Sequence, residues 1–67
     1  MAKNRFPNIE AERARHGMTQ DELAAKLCVT GNTYRNWQSG KNVIPASKII
    51  LMSQLFGVST DYLLSVK

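Results

Sequence analysis

Apolar and polar residues alternate along this chain with the spacing of helices. Apolar side chains recur three and four positions apart, which places them on one face of an α-helix. Three such stripes can be followed, formed by Leu23, Ala24 and Leu27, by Tyr34 and Trp37, and by Ile49, Met52, Leu55 and Phe56. The strict alternation that marks a strand does not occur in the sequence. The pattern therefore predicts an all-α fold of five short helices.

Capping residues and glycines predict where the first two helices begin and end. Helix 1 is expected from about Asn8, a candidate cap, to Arg15, before Gly17. Thr19 opens helix 2, because Glu22 stands three residues later and the two form a capping box.

Neighbouring residues of the same kinds predict the ends of helices 3, 4 and 5. Cys28 and Val29 form a short turn, and Thr30 caps helix 3, which stops at Gly40. Pro45 fits the first position of helix 4. Gly57 then ends helix 4, and Ser59 caps a fifth helix over about residues 60–65.

The chain of 67 residues is long enough for one domain, and residues 1–67 are treated as that domain. Nine Lys and Arg against five Asp and Glu give a net charge of +4, which favours polyanionic partners. A single cysteine cannot form an internal disulfide, which favours a reducing compartment. The sequence shows neither a signal peptide nor an apolar run of about 20 residues that would span a membrane.

The outer face of helix 3 carries the most informative chemistry. Asn32, Arg35 and Asn36 point away from the apolar side of that helix. Asn pairs bidentately with adenine and Arg with guanine in the major groove. Thr30 and Thr33 are placed to contact a phosphate or a thymine methyl group. On spacing alone, a merely solvated helix face explains these residues somewhat better than base contacts do.

A longer pattern makes the interpretation more specific. The run MTQDELAAKLCVT, followed by WQSGK, Pro45 and FGVSTDYLL, resembles the Cro/C1-type helix-turn-helix family, which includes phage repressors and xenobiotic-response-element regulators. The similarity extends over about residues 8–65. It implies a compact, five-helix, lambda-repressor-like DNA-binding domain. Its helix-turn-helix would occupy about residues 19–39, with helix 3 as the recognition helix.

The resemblance also implies a role for individual residues. Base contacts are expected from Thr30, Gly31, Asn32, Arg35 and Asn36, where Gly31 permits close approach to DNA. Phosphate contacts are expected from Gln20, Thr33, Arg13, Lys41 and Asn42, with backbone amides near Lys41 contributing.

The sequence departs from the family pattern at two positions. Cys28 occupies a turn position that is usually Gly, where a left-handed conformation is required. Gln38 stands where the family often has Glu facing an arginine of helix 1, here Arg13. We therefore expect Arg13 to meet a neutral amide and to be freer to contact phosphate.

Other kinds of site find little support in the sequence. His16 is the only histidine and Cys28 the only cysteine, so no convincing zinc site can be assembled. No nucleophile–base pair or glycine-rich phosphate loop is present. We expect no catalytic residue, no cofactor and no small-molecule ligand. In the apolar C-terminal segment, residues that do not cover the core are candidates for a dimer interface: Val58, Tyr62, Leu63 and Val66.

These observations predict a non-enzymatic, sequence-specific transcriptional regulator that acts as a repressor. It would bind a double-stranded operator as a homodimer, at least on DNA, in the cytoplasm of a bacterium or as a phage-encoded protein. Two alternatives stay open. One is a protein-interaction or antitoxin module built on the same fold, and the other is a nonspecific nucleic-acid-binding accessory domain.

Overall fold

Five α-helices account for most of residues 5–65, the range that the computed structural model describes. They are α1 (Pro7–Arg15), α2 (Gln20–Lys26), α3 (Gly31–Ser39), α4 (Ala46–Phe56) and α5 (Thr60–Leu64). No strand occurs in this range. The predicted all-α, five-helix fold is therefore confirmed.

The helices enclose one apolar core to which every helix contributes. α2 packs against α3, while α5 packs against both α1 and α4. The buried apolar side chains are Ile9, Leu23, Ala24, Leu27, Tyr34, Trp37, Ile44, Ile49, Met52, Phe56 and Leu63. The predicted stripe on α4 is wrong at Leu55, which is 37% exposed. α4 therefore buries Ile49, Met52 and Phe56.

Local capping explains where three of the helices begin. The Thr19 side chain accepts a hydrogen bond from the Glu22 amide, and the Glu22 carboxylate accepts one from the Thr19 amide. The predicted capping box is thus present. Thr30 and Ser59 cap α3 and α5 in the same way, through the amides three residues later.

The starts of α1 and α4 differ from the expectation. α1 begins one residue earlier, at Pro7, after an N-cap residue, Phe6, that supplies no side-chain hydrogen bond. The Asn8 side-chain amide instead donates from Nδ2 to the Tyr62 backbone carbonyl at 2.8 Å and joins α1 to α5. Asn8 is therefore a tertiary contact and not a cap. Pro45 is the N-cap residue of α4, and Ala46 is the first helical residue.

A tight turn at Cys28 sets the geometry between α2 and α3. Cys28 has φ +60°, the left-handed region, and is the only non-glycine residue with positive φ among residues 5–65. Its amide donates to the Ala25 carbonyl, and the Val29 amide donates to the Ala24 carbonyl. These two bonds form a Schellman motif, which satisfies the last carbonyls of α2. The expected left-handed cysteine is confirmed.

The C-terminal helix contributes to the core of the domain. Leu63 has no exposed surface, because it packs into the core that α5 shares with α1 and α4. Its side chain is therefore unavailable to a partner in this fold, contrary to the expectation of an interface there. Val58 and Tyr62 are half-buried against the core. Val66 lies outside the described residues.

Candidate nucleic-acid interface

Helix α3 separates a buried face from an exposed polar face. Tyr34 and Trp37 lie on the inner face, with their rings in an edge-to-face arrangement at 6.3 Å. Asn32 and Arg35 are exposed on the outer face, and Asn36 is half-buried beside them. The three outer side chains follow helical spacing, so they form one continuous surface.

Of the three outer residues of α3, Arg35 has a charged partner within residues 5–65. Its guanidinium Nη1 lies 3.3 Å from Asp21 Oδ1, and both side chains are more than half exposed. Asp21 is in the first turn of α2, so this ion pair bridges the two helices. The Asp21 carboxylate also lies over Gly31, where a β-carbon would collide with it. Gly31 thus makes room for the Asp21 carboxylate.

The first turn of α3 is closed by two threonines. The Thr30 and Thr33 hydroxyls are 3.0 Å apart, and the Thr30 hydroxyl also accepts from the Thr33 amide. Both side chains are thereby fixed at the N-terminal end of α3. This is the end of a recognition helix that approaches bases in helix-turn-helix proteins.

Gln20 and Arg13 both bind the carboxylate of Glu10. Gln20 Nε2 donates to Glu10 at 3.4 Å, a long hydrogen bond between α2 and α1. Arg13 Nη2 donates to Glu10 at 2.9 Å, and Arg13 Nη1 donates to the Met18 carbonyl. The Arg13 side chain is 22% exposed.

The expected contact between Arg13 and Gln38 is therefore wrong. The Arg13 guanidinium is held by an acidic residue of its own helix, so it is not freed by the neutral Gln38. Any phosphate contact by Arg13 would have to use the exposed part of a guanidinium that is already paired. It stays a prediction.

Gln38 instead joins the end of α3 to the start of α1. It is 4% exposed. Its Oε1 accepts from the Phe6 amide at 3.0 Å, and its Nε2 donates to the Phe6 carbonyl at 3.3 Å and to the Tyr34 hydroxyl at 3.2 Å. In addition, the Arg5 backbone amide donates a hydrogen bond to the Gln38 backbone carbonyl at 2.7 Å. An amide side chain is required here, because it must donate and accept at once.

These contacts continue into a polar network beneath α3. The Tyr34 hydroxyl accepts from Gln38 and donates to Glu10, which in turn binds Arg13 and Gln20. Burial of Glu10 opposes its ionisation, but hydrogen bonds from Arg13 and Tyr34 outweigh this and lower its pKa below 4.5. Burial and the neighbouring Glu10 raise the pKa of Tyr34 far above its ordinary value. At neutral pH the network therefore contains an ionised Glu10 and a protonated Tyr34.

The loop after α3 folds back onto the end of that helix. The backbone amides of Lys41 and Asn42 both donate to the Asn36 carbonyl, at 3.0 and 3.2 Å. Gly40, with φ +84°, makes this reversal possible. These two amides are therefore used within the domain and are not free for a phosphate, contrary to the expectation. The exposed side chains of Lys41 and Asn42 stay candidates.

Three acidic residues of this region were missed by sequence reasoning. Glu10 and Arg13 have the i, i+3 spacing of a helical ion pair, a signal that was present but not used. Glu12 is 2% exposed and accepts from the Tyr62 hydroxyl at 3.1 Å, a contact across 50 residues. Asp21 meets Arg35 from a different helix. Neither of these long-range contacts leaves a periodic signal in the sequence.

Residues 5–65 offer neither a metal-binding cluster nor a membrane-spanning helix. No group of three or more His, Cys, Asp or Glu side chains in this range is arranged to hold a metal ion. Over the same residues, none of the helices combines the length and apolar character needed to cross a membrane.

The geometry defines a helix-turn-helix domain. α2 and α3 are joined by the short turn at Cys28. The inner face of α3 is buried, and its outer face is polar and accessible. Residues 9–63 match the family model described as helix-turn-helix. The chain belongs to this family, of the Cro/C1 type.

A curated relative agrees with this assignment. The chain is 28% identical over 54 residues to YobD of Bacillus subtilis (strain 168), described as an uncharacterized HTH-type transcriptional regulator. The match covers 81% of this chain and 48% of YobD. The chain thus spans about half the length of this relative.

Proposed function

We propose that this chain is a sequence-specific DNA-binding transcriptional repressor that inserts α3 into the major groove. The observation that carries the proposal is the division of α3. Asn32, Arg35 and Asn36 share an outer surface, while Tyr34 and Gln38 anchor the inner face to α1. Amide and guanidinium groups on a rigidly held helix are suited to base recognition.

Phosphate contacts would fix the domain on the duplex. Gln20, Thr33, Arg13, Lys41 and Asn42 are the proposed contacts, with Lys41 supplying an exposed full charge. Contacts of this kind position a protein and carry no sequence information themselves. The net charge of +4 supports the same proposal. When Lys and Arg side chains neutralise DNA phosphates, bound counterions are released, and this release favours binding.

The proposed working unit on DNA is a twofold dimer. One recognition helix contacts only a few base pairs, which is too little to select one site in a genome. The half-exposed side chains of Val58 and Tyr62 are available for the contact, and Val66 extends the same segment. Leu63 is excluded by its burial. Such a small surface would assemble mainly on DNA, on half-sites about 34 Å apart.

Selection of binding sites from a random duplex pool tests the proposal. We expect a palindromic consensus, bound at least about a thousandfold more tightly than random duplex at moderate salt. Mass measurement on the selected duplex should give two protomers. Equal affinity for every sequence would instead favour a nonspecific nucleic-acid-binding domain. The absence of DNA binding would favour the protein-interaction module.

A further inference from the structure

The Asp21–Arg35 ion pair lies where the proposed DNA contact would form. Arg35 is on the outer face of α3, and Asp21 is the acidic residue that reaches it from α2. Among residues 5–65, Asn32 and Asn36 have no side-chain hydrogen bond, so Arg35 is the outer residue whose conformation another helix restrains. A long, flexible arginine needs such a restraint more than a short asparagine does.

The restraint has a defined direction. The Arg35 guanidinium extends toward Gly31, one turn nearer the N-terminal end of α3. The Asp21 carboxylate lies at this same first turn, where the partial positive charge of the helix terminus favours an anion. The ion pair thus places Arg35 over the end of α3 that would enter the groove in the proposed complex.

Gly31 is part of this arrangement. A β-carbon at position 31 would collide with Asp21 Oδ1 and would come close to the Arg35 guanidinium. Its φ is not in the left-handed region, since the positive-φ glycines of the described range are Gly17, Gly40 and Gly57. A methyl group at position 31 would therefore displace the exposed, flexible end of Asp21 from its place beside Arg35.

We propose that Asp21 is a specificity-determining residue that positions Arg35 toward one base pair, with Gly31 leaving the space for it. This inference rests on the proposed function. Asp21 contacts no base in the proposal and acts through Arg35. Because Asp21 also places a negative charge near the DNA backbone, it weakens binding to all sequences while it sharpens the choice of base.

The test compares base preferences of the wild-type protein and Asp21→Asn on the selected site. The base pair recognised by Arg35 is first located as the one whose preference disappears in Arg35→Ala. We expect Asp21→Asn to reduce discrimination at that base pair by up to about fivefold, the upper range for an exposed ion pair. Its affinity for random duplex should stay equal or increase. Asp61→Asn, which removes the same charge from the first turn of α5, is the matched control and should leave every base preference unchanged.

Two further variants make the role of Asp21 specific. In an Arg35→Ala background, Asp21→Asn should have no further effect on base preference, because its only route is Arg35. Gly31→Ala should copy the loss of preference seen in Asp21→Asn, and circular dichroism will verify that each variant is folded. If wild-type protein selects a consensus and Asp21→Asn has the same base preferences, the inference is overturned while the proposed function stands. If wild-type protein selects no consensus, the proposed function itself fails.

Discussion

The Tyr34 hydroxyl donates a hydrogen bond to the Glu10 carboxylate and thereby joins α3 to α1. Tyr34 is fully buried, and the two residues are 24 positions apart in the chain. The same hydroxyl accepts from Gln38, and the same carboxylate binds Arg13. The orientation of the candidate recognition helix therefore depends on a polar contact with α1 as well as on apolar packing.

Tyr34→Phe should destabilise the domain by about 1–2 kcal/mol, because it removes a hydrogen-bond partner from the buried Gln38 amide and from the part-buried Glu10 carboxylate. For a domain of this size each kcal/mol lowers the melting temperature by about 4–8 °C. Thermal unfolding followed by circular dichroism measures the change. Tyr62→Phe is the matched control, and its loss should be smaller because Tyr62 is half-exposed. Equal melting temperatures for wild type and Tyr34→Phe would contradict the network.

Glu10 should make stability depend on acid pH. Its pKa is lowered in the folded protein, so its contribution is complete above the unfolded value of 4.5. That contribution is lost as the pH falls through the folded value. Glu10→Gln should therefore lose less stability than wild type as the pH falls from about 5 to about 3, a window that begins just above the ordinary pKa and extends below it. Urea unfolding at several pH values measures both proteins, and parallel curves would show that Glu10 does not contribute.

Gln38→Glu should destabilise the domain by about 1–3 kcal/mol. A carboxylate cannot donate to the Phe6 carbonyl or the Tyr34 hydroxyl as the Gln38 amide does. It would also bring a second negative charge toward Glu10. The same substitution at the exposed Gln54 of α4 is the control and should be nearly neutral. A stabilised Gln38→Glu protein would indicate that Arg13 leaves Glu10 to pair with residue 38.

Interactions between residues close in the sequence can be predicted for this chain, whereas long-range contacts cannot. The caps at Thr19, Thr30 and Ser59 depend on residues three positions apart, so the sequence predicted them correctly. The contact between Gln38 and Phe6 spans 32 residues and depends on how two helices pack. Periodicity carries no information about such a pair. Transfer of a family contact to Arg13 and Gln38 failed because Glu10 offers the arginine a nearer, charged partner.

Cys28→Gly should leave stability unchanged or raise it by up to about 1 kcal/mol. Glycine adopts the left-handed conformation at φ +60° without the steric cost that a β-carbon brings. Greater freedom of glycine in the unfolded chain offsets part of this gain. Cys28→Ala keeps the β-carbon and is the control, so it should not be stabilised. Denaturant midpoints compare the three proteins, and a marked loss in Cys28→Gly would mean that the thiol packs usefully in the turn.

Alanine variants should separate base contacts from phosphate contacts. Arg35→Ala and Asn36→Ala should each cost about 1–3 kcal/mol on the selected site and relax preference at particular base pairs. Lys41→Ala should weaken binding to all sequences and make the salt dependence shallower by about 0.9 in the log–log slope. Lys26→Ala, outside the proposed phosphate contacts, is the charge-matched control. If Arg35→Ala weakens specific and random duplexes equally, α3 does not contact base edges.

The inner face of α3 anchors the helix to the domain and the outer face does not, so residues on the outer face can be substituted without disturbing the fold. Tyr34, Trp37 and Gln38 hold the helix in place, whereas Asn32 and Asn36 have no side-chain hydrogen bond within residues 5–65. New side chains at 32 and 36 would leave the scaffold intact, while a change at 35 would also release Asp21. Redesign toward a different target sequence can therefore proceed at 32 and 36 independently, but must treat 21, 31 and 35 as one unit.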